Sequence, residues 1–409
     1  MRIDYKIEDK FDFAVFVPAL MLAIIGLVAI FSSTFNHPVA GGNFERQFFW
    51  LIASLVVFVI IYFLPSRTFF ITAVPIYIIS LLLLIAVLFA GKTVYGAKSW
   101  LALGPVGFQP SEFAKIGTIL FLAYWLGKNR GDINSLKDIG VALLIGFVPV
   151  LLILMEPDMG TAIVFMFITF IMIFWSGINL FSIFVVVSPA IVFFASLFGT
   201  GVFILALVFV LLALYFFRRN LFLSATVFVM NLAAGFFFDY VYRFLQPHQQ
   251  KRLESFMDPN ADPLGSGYNA LQAKVAIGSG GVMGKGFMEG NQTQLRFIPE
   301  QWTDFIYCVI GEEFGFIGSI FVLFLFVVIM IRLLEISAST KNTFSSLVVI
   351  GILSMIFIHF AINIGMNVGI TPVIGLPLPF VSYGGSSLLV NMMMLGVVLN
   401  IYKNRKQYA

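Results

Sequence analysis

Residues 299–334 read PEQWTDFIYCVIGEEFGFIGSIFVLFLFVVIMIRLL and pass from polar side chains into a long apolar run. Within residues 314–334 the only charged side chain is that of Arg332. An α-helix needs about 20 apolar residues to cross the hydrocarbon core of a bilayer. The run therefore predicts a membrane-spanning helix, and the residues before it predict a loop that ends at the membrane surface.

The rest of the chain repeats this pattern. Of its 409 residues, 60% are apolar and 11% are charged, whereas about a quarter of the residues are charged in a typical soluble domain. The apolar windows predict an all-α polytopic membrane protein with about 12 transmembrane helices. The predicted spans are residues 13–31, 48–64, 69–90, 113–127, 139–155, 159–175, 180–197, 202–217, 221–238, 314–334, 344–368 and 381–402.

The basic residues predict the orientation, because Lys and Arg accumulate in short cytoplasmic loops. With a cytoplasmic N-terminus, the short outside loops hold only Arg46, Lys92 and Lys98, and most other basic residues lie inside. Both termini are therefore expected in the cytoplasm, and the one long loop is expected outside. The first span has no small-residue cleavage site after it, so it is expected to be a retained anchor.

The net charge of +4 follows from this distribution and needs no nucleic-acid partner. The sequence contains no nucleic-acid-binding motif, so no such partner is expected. Cys308 is the only cysteine, which excludes an intrachain disulfide, and we interpret it as a packing residue.

The chain is predicted to be one membrane domain, residues 1–409, in which two parts stand out. Residues 199–238 carry charges only at Arg218 and Arg219, which predicts an inserted helical hairpin with its turn inside. Residues 239–304 form the predicted large extracytoplasmic loop. No nucleotide-binding domain flanks the membrane part, which favours a lipid-anchored substrate over a cytosolic nucleotide sugar.

Three segments interrupt the membrane pattern, and all are predicted on the outer side: residues 91–115, the loop 239–304 and residues 369–387. Proline and glycine are too dense in the third, GITPVIGLPLPFVSYGGSS, for a regular helix. Irregular backbone near membrane depth is tolerated only where it is buried in protein or lines a water-filled cavity. The three segments therefore predict a cavity open to the outer leaflet.

The motif QPSEFAK, residues 109–115, puts Glu112 and Lys115 on one face of a helix that starts near Pro110. One interpretation is an ion pair that fixes the helix start. The other is that Lys115 offers a cation to a phosphate and Glu112 orients it, because ionisable groups at membrane depth are expensive and usually functional. Trp100, in the same outer loop, either anchors at the headgroup level or stacks on a sugar.

Two further outer segments carry candidate residues. Glu156 and Asp158 flank a proline between two spans, which predicts two carboxylates near the outer surface, with Asp158 capping the next helix. Lys285 lies in AIGSGGVMGKG, residues 276–286, whose backbone amides could form an anion nest. Lys285 is thus a candidate for meeting a pyrophosphate, as are other basic residues of the loop such as Arg252, and a solvated loop charge is the alternative for each. The loop has no GxxxxGK[ST] run, which excludes a phosphate-binding loop of the nucleotide-hydrolase type.

Asp304 follows Thr303, a candidate helix cap, where the chain re-enters the membrane. A carboxylate there can face the cavity while half desolvated, which would raise its pKa towards a value useful for a general base. An aspartate at a helix start is also a common cap, and from the residues alone that alternative stays open.

The motifs GAKSWLALGPVGFQPSEFAK, EPDMGT, DPLGSGYN, AIGSGGVMGKG, PEQWTDFIYCVIGEEFGFIG and LPLPFVSYGGSS together resemble the SEDS glycosyltransferases over most of the chain. NQTQLRFIPE and TPVIGLPLPF are similar to the RodA-like rather than the FtsW-like members. The resemblance implies a GT-C-like membrane fold whose usual core of ten helices lacks the hairpin 199–238. Trp302 stands where the family usually has histidine, so no proton-transfer role is expected there.

The same resemblance implies a peptidoglycan glycosyltransferase at the outer face of the bacterial cytoplasmic membrane. It would polymerise lipid II into glycan strands during cell elongation and release undecaprenyl pyrophosphate. A class B penicillin-binding protein is the implied partner, within the elongation machinery. A second interpretation is a flippase for the lipid-linked precursor, and a third is a scaffold that only recruits the penicillin-binding protein.

The resemblance also implies that Asp304 is the essential aspartate, which we take as general base on the acceptor's 4-hydroxyl, and that Trp100, Glu112 and Lys115 match functional positions of the family. The other expected substrate contacts are Asp158, Lys285, Glu300, Thr303, Ser382 and Ser386. The backbone amides of residues 384–387 are an expected anion site at a helix start. A divalent cation, Mg²⁺ or Mn²⁺, stays open, since no ligand cluster has diagnostic spacing.

Overall fold

The computed structural model describes residues 10–35, 37–94, 97–103, 106–128, 136–177, 180–196, 199–217, 220–244, 247–257 and 266–405. Its helices are α1 (Phe13–Thr34), α2 (Asn43–Phe63), α3 (Arg67–Ala90), α4 (Pro110–Lys128), α5 (Leu136–Met155), α6 (Met159–Trp175), α7 (Leu180–Ser196), α8 (Thr200–Phe217), α9 (Leu221–Phe244), α10 (Pro247–Met257), α11 (Ser266–Ser279), α12 (Asn291–Gln294), α13 (Ile306–Ser339), α14 (Thr343–Val368) and α15 (Gly385–Asn404).

Each of the predicted spans coincides with one of the long helices. Within the described residues, eight helices are long and apolar enough to cross a membrane, namely α1, α2, α3, α5, α8, α13, α14 and α15. Shorter apolar helices lie at Met159–Trp175 and Leu221–Phe236. The prediction of an all-α polytopic membrane protein is confirmed.

The long predicted loop is more helical than expected. It contains the end of α9 and the helices α10, α11 and α12, and α13 begins at Ile306, earlier than the span predicted from residue 314. Glu312 interrupts the apolar pattern in the sequence, yet its carboxylate lies inside the protein, where Lys285 Nζ and the Thr293 amide donate to it at 2.8 and 2.9 Å. A paired carboxylate is compatible with a buried helix, so the helix starts before the apolar window does.

The first of the three irregular segments folds into a small antiparallel sheet that was not predicted from the sequence. Its strands are β1 (Lys92–Val94), β2 (Ala97–Leu103) and β3 (Val106–Phe108), in the order β1-β2-β3. The strands are too short for an alternating pattern to emerge among the glycines of this segment. The sheet carries Trp100 on β2, which contacts α3 and α4.

The core of the bundle places α14 at its centre, packed against α4, α6 and α13, while α15 packs against α2 and α1 packs against α13. The described part of the predicted hairpin, α8 and α9, packs instead with α7 in a separate apolar cluster around Val192, Val210 and Val227. Asn231 Nδ2 donates to Ser188 Oγ at 2.9 Å and ties α9 to α7. Arg218 and Arg219 lie outside the described residues, and the insertion of 199–238 stays a prediction.

The glycine-rich loop, residues 280–286, packs backbone to backbone against a break in α13 at Gly315, where φ is 65°. The amides of Lys285 and Gly286 donate to the carbonyl oxygens of Glu312 and Glu313 at 3.0 and 3.1 Å. These amides are therefore not available to an anion, and the interpretation of this stretch as an anion nest is wrong for them. The glycines serve close packing instead.

Gly284 is a tight point of this contact that a single substitution can test. A methyl group on it would lie 2.1 Å from the Glu313 carbonyl oxygen, and its φ is 84°. We expect Gly284→Ala to lower the free energy of unfolding by about 1–3 kcal/mol through overpacking. The measurement is thermal unfolding of the purified protein in one detergent.

Gly278→Ala is the matched control, because Gly278 lies in α11 and a methyl group there meets nothing within 4 Å. Its melting temperature should be equal to or slightly above that of the wild type, since alanine favours a helix. Equal melting temperatures for the two variants would contradict the packing role.

Candidate active site around Asp304

Asp304 lies in a turn that precedes α13 and does not cap it. The N-cap residue of α13 is Phe305, which makes no side-chain cap hydrogen bond. Thr303 is not a cap either, because its Oγ1 donates to the carbonyl oxygen of Glu300 at 3.1 Å. The capping alternative for Asp304 and the predicted cap at Thr303 are both wrong, and the Asp304 carboxylate is left for another role.

Two asparagines on α14 hold the backbone of Asp304. Asn363 Nδ2 and Asn367 Nδ2 donate to its carbonyl oxygen at 2.9 and 3.0 Å. Residues four apart share a helix face, so both amides reach the same oxygen. Asn363 Nδ2 also donates to the carbonyl oxygen of Leu376 at 2.7 Å, which joins the third irregular segment to the same point.

The third segment also binds the turn directly. Ser382 Oγ donates to the carbonyl oxygen of Thr303 at 2.6 Å and accepts from the Leu378 amide at 2.8 Å. The Tyr383 amide donates to the carbonyl oxygen of Trp302 at 2.9 Å. Ser382 is thus occupied by backbone contacts that fix the two segments against each other.

Two residues of this region have left-handed backbone, which side chains other than glycine adopt at a cost. These are Glu300, with φ 53°, and Phe380, with φ 65°. Such strain persists where the surroundings over-determine it, and it clusters at functional sites.

The Asp304 carboxylate is partly exposed, and within the described part of the chain no hydrogen bond or ion pair to it is found. A methyl group on Gly375 would lie 3.2 Å from its Oδ2, so the carboxylate faces the bare backbone of the third segment. Burial and the charge of Glu300 raise the pKa of Asp304 to about 6, against the opposing charge of Arg252 and with a further raise from Asp158. A base with such a pKa exchanges protons near neutral pH.

Glu112 and Lys115 form a buried ion pair at 2.8 Å, with their side chains 5% and 1% exposed. Lys115 Nζ also lies 3.1 Å from His359 Nε2, and His359 Nδ1 lies 3.1 Å from the carbonyl oxygen of Pro377. A carbonyl only accepts, so Nδ1 donates to it and Nε2 accepts from Lys115. Glu112, Lys115 and His359 thus form a chain of contacts that reaches the third segment at Pro377. The predicted phosphate contact of Lys115 stays a prediction.

Asp158 caps α6, as predicted: its carboxylate accepts from the amide and the hydroxyl of Thr161 at 3.0 and 2.8 Å. Glu156 differs from expectation, because it is 1% exposed rather than near the surface. Burial and the charge of Asp158 raise the pKa of Glu156 to about 8. A carboxyl without a partner is stable in such a place in its neutral form.

The remaining predicted residues lie in different surroundings. Trp100 lies on β2, where a methyl group on Gly107 would be 3.3 Å from its ring. Lys285 pairs with Glu312 at 2.8 Å. Ser386 is buried in the first turn of α15, and the Gly384 amide before it donates to Gln47 Oε1 at 3.1 Å, so that one amide of the expected anion site is occupied.

The polar side chains of α14 were not predicted from the sequence, and Arg252 was predicted only as one of several basic loop residues that could meet a pyrophosphate. His359, Asn363 and Asn367 recur every four residues in an otherwise apolar helix, which is a visible signal of a polar face turned into the protein. Arg252, on α10, gives no such signal, because the loop contains several basic residues.

A family model described as "Cell cycle protein", FTSW_RODA_SPOVE, matches residues 13–198 and 180–407. The chain belongs to this family. The SEDS prediction, with RodA-like rather than FtsW-like character, is therefore confirmed.

Two relatives are similar to the chain along nearly its whole length. Peptidoglycan glycosyltransferase MrdB of Escherichia coli (strain K12) is 35% identical over 395 residues, which cover 96% of this chain and 95% of MrdB. Peptidoglycan glycosyltransferase RodA of Treponema pallidum (strain Nichols) is 34% identical, covering 96% of this chain and 98% of that protein.

Two solved structures have a similar fold. A chain from a structure described as "Structural coordination of polymerization and crosslinking by a peptidoglycan synthase complex" has a TM-score of 0.72 and 29% identity, covering 97% of this chain and 99% of its own. The rod shape determining protein RodA of Thermus thermophilus has a TM-score of 0.65 and 26% identity, covering 97% of each chain.

The buried pair of this FtsW/RodA/SpoVE protein gives a test of what Lys115 does. We expect Lys115→Met to lower the free energy of unfolding by about 3–5 kcal/mol, because it leaves the Glu112 carboxylate buried without its cation. The double variant Glu112→Gln/Lys115→Met removes both charges and should recover most of that loss. Thermal unfolding of the three proteins measures both effects. A single variant as stable as the wild type would rule out the supporting role.

Proposed function

We propose that the chain polymerises lipid II into glycan strands, with Asp304 as the general base. The activity class, peptidoglycan glycosyltransferase, follows from the family. The acceptor is the growing glycan strand or a second lipid II, and the leaving group is undecaprenyl pyrophosphate. The role in cell elongation follows from the RodA-like character.

The Asp304 carboxylate is the observation that carries this proposal. Its backbone is fixed by two asparagines of α14, while its carboxylate faces Gly375 without a hydrogen-bond donor from the described residues. A carboxylate with a pKa of about 6 is ionised at neutral pH and still basic enough to accept a proton as the bond forms. A fixed backbone keeps the base at one place, which is what proximity catalysis needs.

The proposed step is a displacement at the anomeric carbon of the donor sugar. The 4-hydroxyl oxygen of the acceptor N-acetylglucosamine forms the new bond to that carbon, and its proton passes to an Asp304 oxygen. The bond from the anomeric carbon to the pyrophosphate oxygen breaks, and its electron pair leaves with the lipid pyrophosphate. Attack opposite the leaving group inverts the anomeric configuration.

The described residues include no group of three or more His, Cys, Asp or Glu that could hold a metal ion. The side chains near Asp304 therefore do not form a recognisable Mg²⁺ or Mn²⁺ site, and no step of this mechanism is routed through a metal.

The surroundings of the enzyme are part of the same proposal. We place the protein in the bacterial cytoplasmic membrane, with both termini inside and the loop 239–304 outside, on the distribution of Lys and Arg. A class B penicillin-binding protein is the proposed partner. The similarity to a chain from a peptidoglycan synthase complex supports this, because polymerised strands have to be crosslinked.

Asp304→Asn tests the base directly. The amide has the size of the carboxylate but cannot take the proton, so polymerisation of purified lipid II should fall by about 100-fold to 10,000-fold. Glu335→Gln makes the same chemical change at an exposed side chain near the other end of α13 and should leave the rate unchanged. A folded Asp304→Asn protein with full activity would exclude the base. Translocation of lipid II in vesicles without glycan formation by the wild type would favour the flippase.

The pH dependence of polymerisation tests the environment of Asp304. The charged groups that act on it are Glu300, Asp158 and Arg252. Because its pKa is raised to about 6, the rate should fall as the pH drops through 6 and the carboxylate is protonated. Glu300→Gln removes a negative charge that raises this pKa, so the acid limb should move to lower pH. A shift to higher pH, or none, would contradict the assignment of that limb to Asp304.

A further inference from the structure

A departing pyrophosphate needs positive charge, and two of the basic side chains predicted for it are engaged elsewhere. Lys115 is buried with Glu112 and His359. Lys285 is paired with Glu312 beneath the glycine-rich loop. Neither side chain can meet an anion without leaving a carboxylate unpaired.

The helices of the loop 239–304 carry other basic residues, which differ in position. Lys251 on α10 and Lys274 on α11 are exposed. Lys274 lies beside Gly369, where a methyl group would be 2.2 Å from its Nζ, at the start of the third segment. No contact among the described residues places the Lys251 side chain beside Asp304, so Lys251 serves as a neighbour of equal charge for comparison.

Arg252 is the cation that the fold brings to Asp304. Its Nη1 donates to the carbonyl oxygen of Ile374 at 3.1 Å, so α10 is attached to the third segment at this residue. A methyl group on Gly375 would lie 3.9 Å from Nη1 and 3.2 Å from Asp304 Oδ2. The guanidinium and the carboxylate therefore approach the same bare glycine, and neither uses the other as an ion-pair partner within the usual distance.

The residues around Gly375 give this point a defined shape. Gly375 has φ 84°, a backbone that favours glycine. The α6 start is also close, since a methyl group on Gly160 would lie 2.9 Å from Ile374 Cγ2. A guanidinium has five N–H donors in a fixed fork, and the contact with Ile374 uses one direction of it. The remaining donors suit the oxygens of a phosphate group.

We propose that Arg252 forms a pyrophosphate-binding site for an isoprenoid pyrophosphate, next to Gly375 and close to Asp304. The site rests on the proposed function, in which the base and the leaving group stand on opposite sides of the anomeric carbon. When the bond from that carbon to the pyrophosphate oxygen breaks, the electron pair stays on the phosphate. Arg252 remains protonated and meets the new charge by hydrogen bonds. No proton or further reactant is required from it.

The test measures binding separately from polymerisation. Full-length protein in nanodiscs is titrated with farnesyl pyrophosphate and with farnesol. For each variant, the dissociation constant of farnesol is divided by that of farnesyl pyrophosphate. The ratio isolates the contribution of the pyrophosphate, because both ligands share the isoprenoid chain. A merely structural role for Arg252 would change both constants and leave the ratio as it is.

We expect Arg252→Ala to reduce the ratio by about tenfold or more, as the loss of charge-assisted hydrogen bonds predicts. Arg252→Lys should recover part of it, since the charge remains but the fork is lost. Lys251→Ala, one residue away with the same charge removed, should stay within about twofold of the wild type. Asp304→Asn should bind farnesyl pyrophosphate at least as tightly as the wild type, because it removes a negative charge.

Each outcome bears on one proposal. A wild-type ratio in Arg252→Ala, an equal loss in Lys251→Ala, or a wild type that does not prefer farnesyl pyrophosphate would overturn the site at Arg252. A wild type that binds through Arg252 but does not polymerise lipid II would support the site and reject the proposed function. A wild type that polymerises lipid II, with no effect of Arg252 on the ratio, would support the proposed function and reject the site.

Discussion

The site depends on one constraint of the membrane environment: backbone carbonyls in irregular segments need donors from the protein, because lipid offers none. The donors come from a single face of α14. His359 lies against the carbonyl oxygen of Pro377, Asn363 donates to those of Leu376 and Asp304, and Asn367 donates again to that of Asp304. The third segment, which is too rich in proline and glycine to be helical, is thereby held in a fixed position against α14. The same contacts hold the turn before α13.

This arrangement explains why Asp304 can act through its side chain. At an ordinary helix start its carboxylate would satisfy the first free amides. Here the helix begins later, at Ile306, and the backbone of Asp304 is fixed by α14 instead. The glycine-rich loop contributes from the other side, since it closes on the break at Gly315 and buries the first turns of α13. The backbone of Asp304 is therefore fixed, while none of the described residues donates a hydrogen bond to its carboxylate oxygens.

The membrane spans and the irregular segments could be predicted from sequence, because apolar length and proline density are local signals, and the family motifs indicated Asp304 as a candidate. The partners of the charged residues could not be predicted from the sequence. Spacing puts Glu112 and Lys115 on one helix face, but only the fold adds His359 and buries all three. Glycine density in residues 280–286 suits an anion nest and a close backbone contact equally, and the position of α13 decides between them. Arg252 stands out only through its distance to Gly375.

The charges around Gly375 fit a site with two different ends. Asp304, Glu300 and Asp158 are acidic, and burial together with the charges of Glu300 and Asp158 raises the pKa of Asp304 to about 6. A pyrophosphate brought directly against these groups would be repelled, so it has to lie where positive charge is available. Arg252 lies on α10 and approaches the same glycine, whose missing side chain leaves room beside the Asp304 carboxylate. In the proposed mechanism the acid cluster serves the acceptor hydroxyl, the arginine serves the leaving group, and the anomeric carbon lies between them, which is the order that an inverting displacement requires.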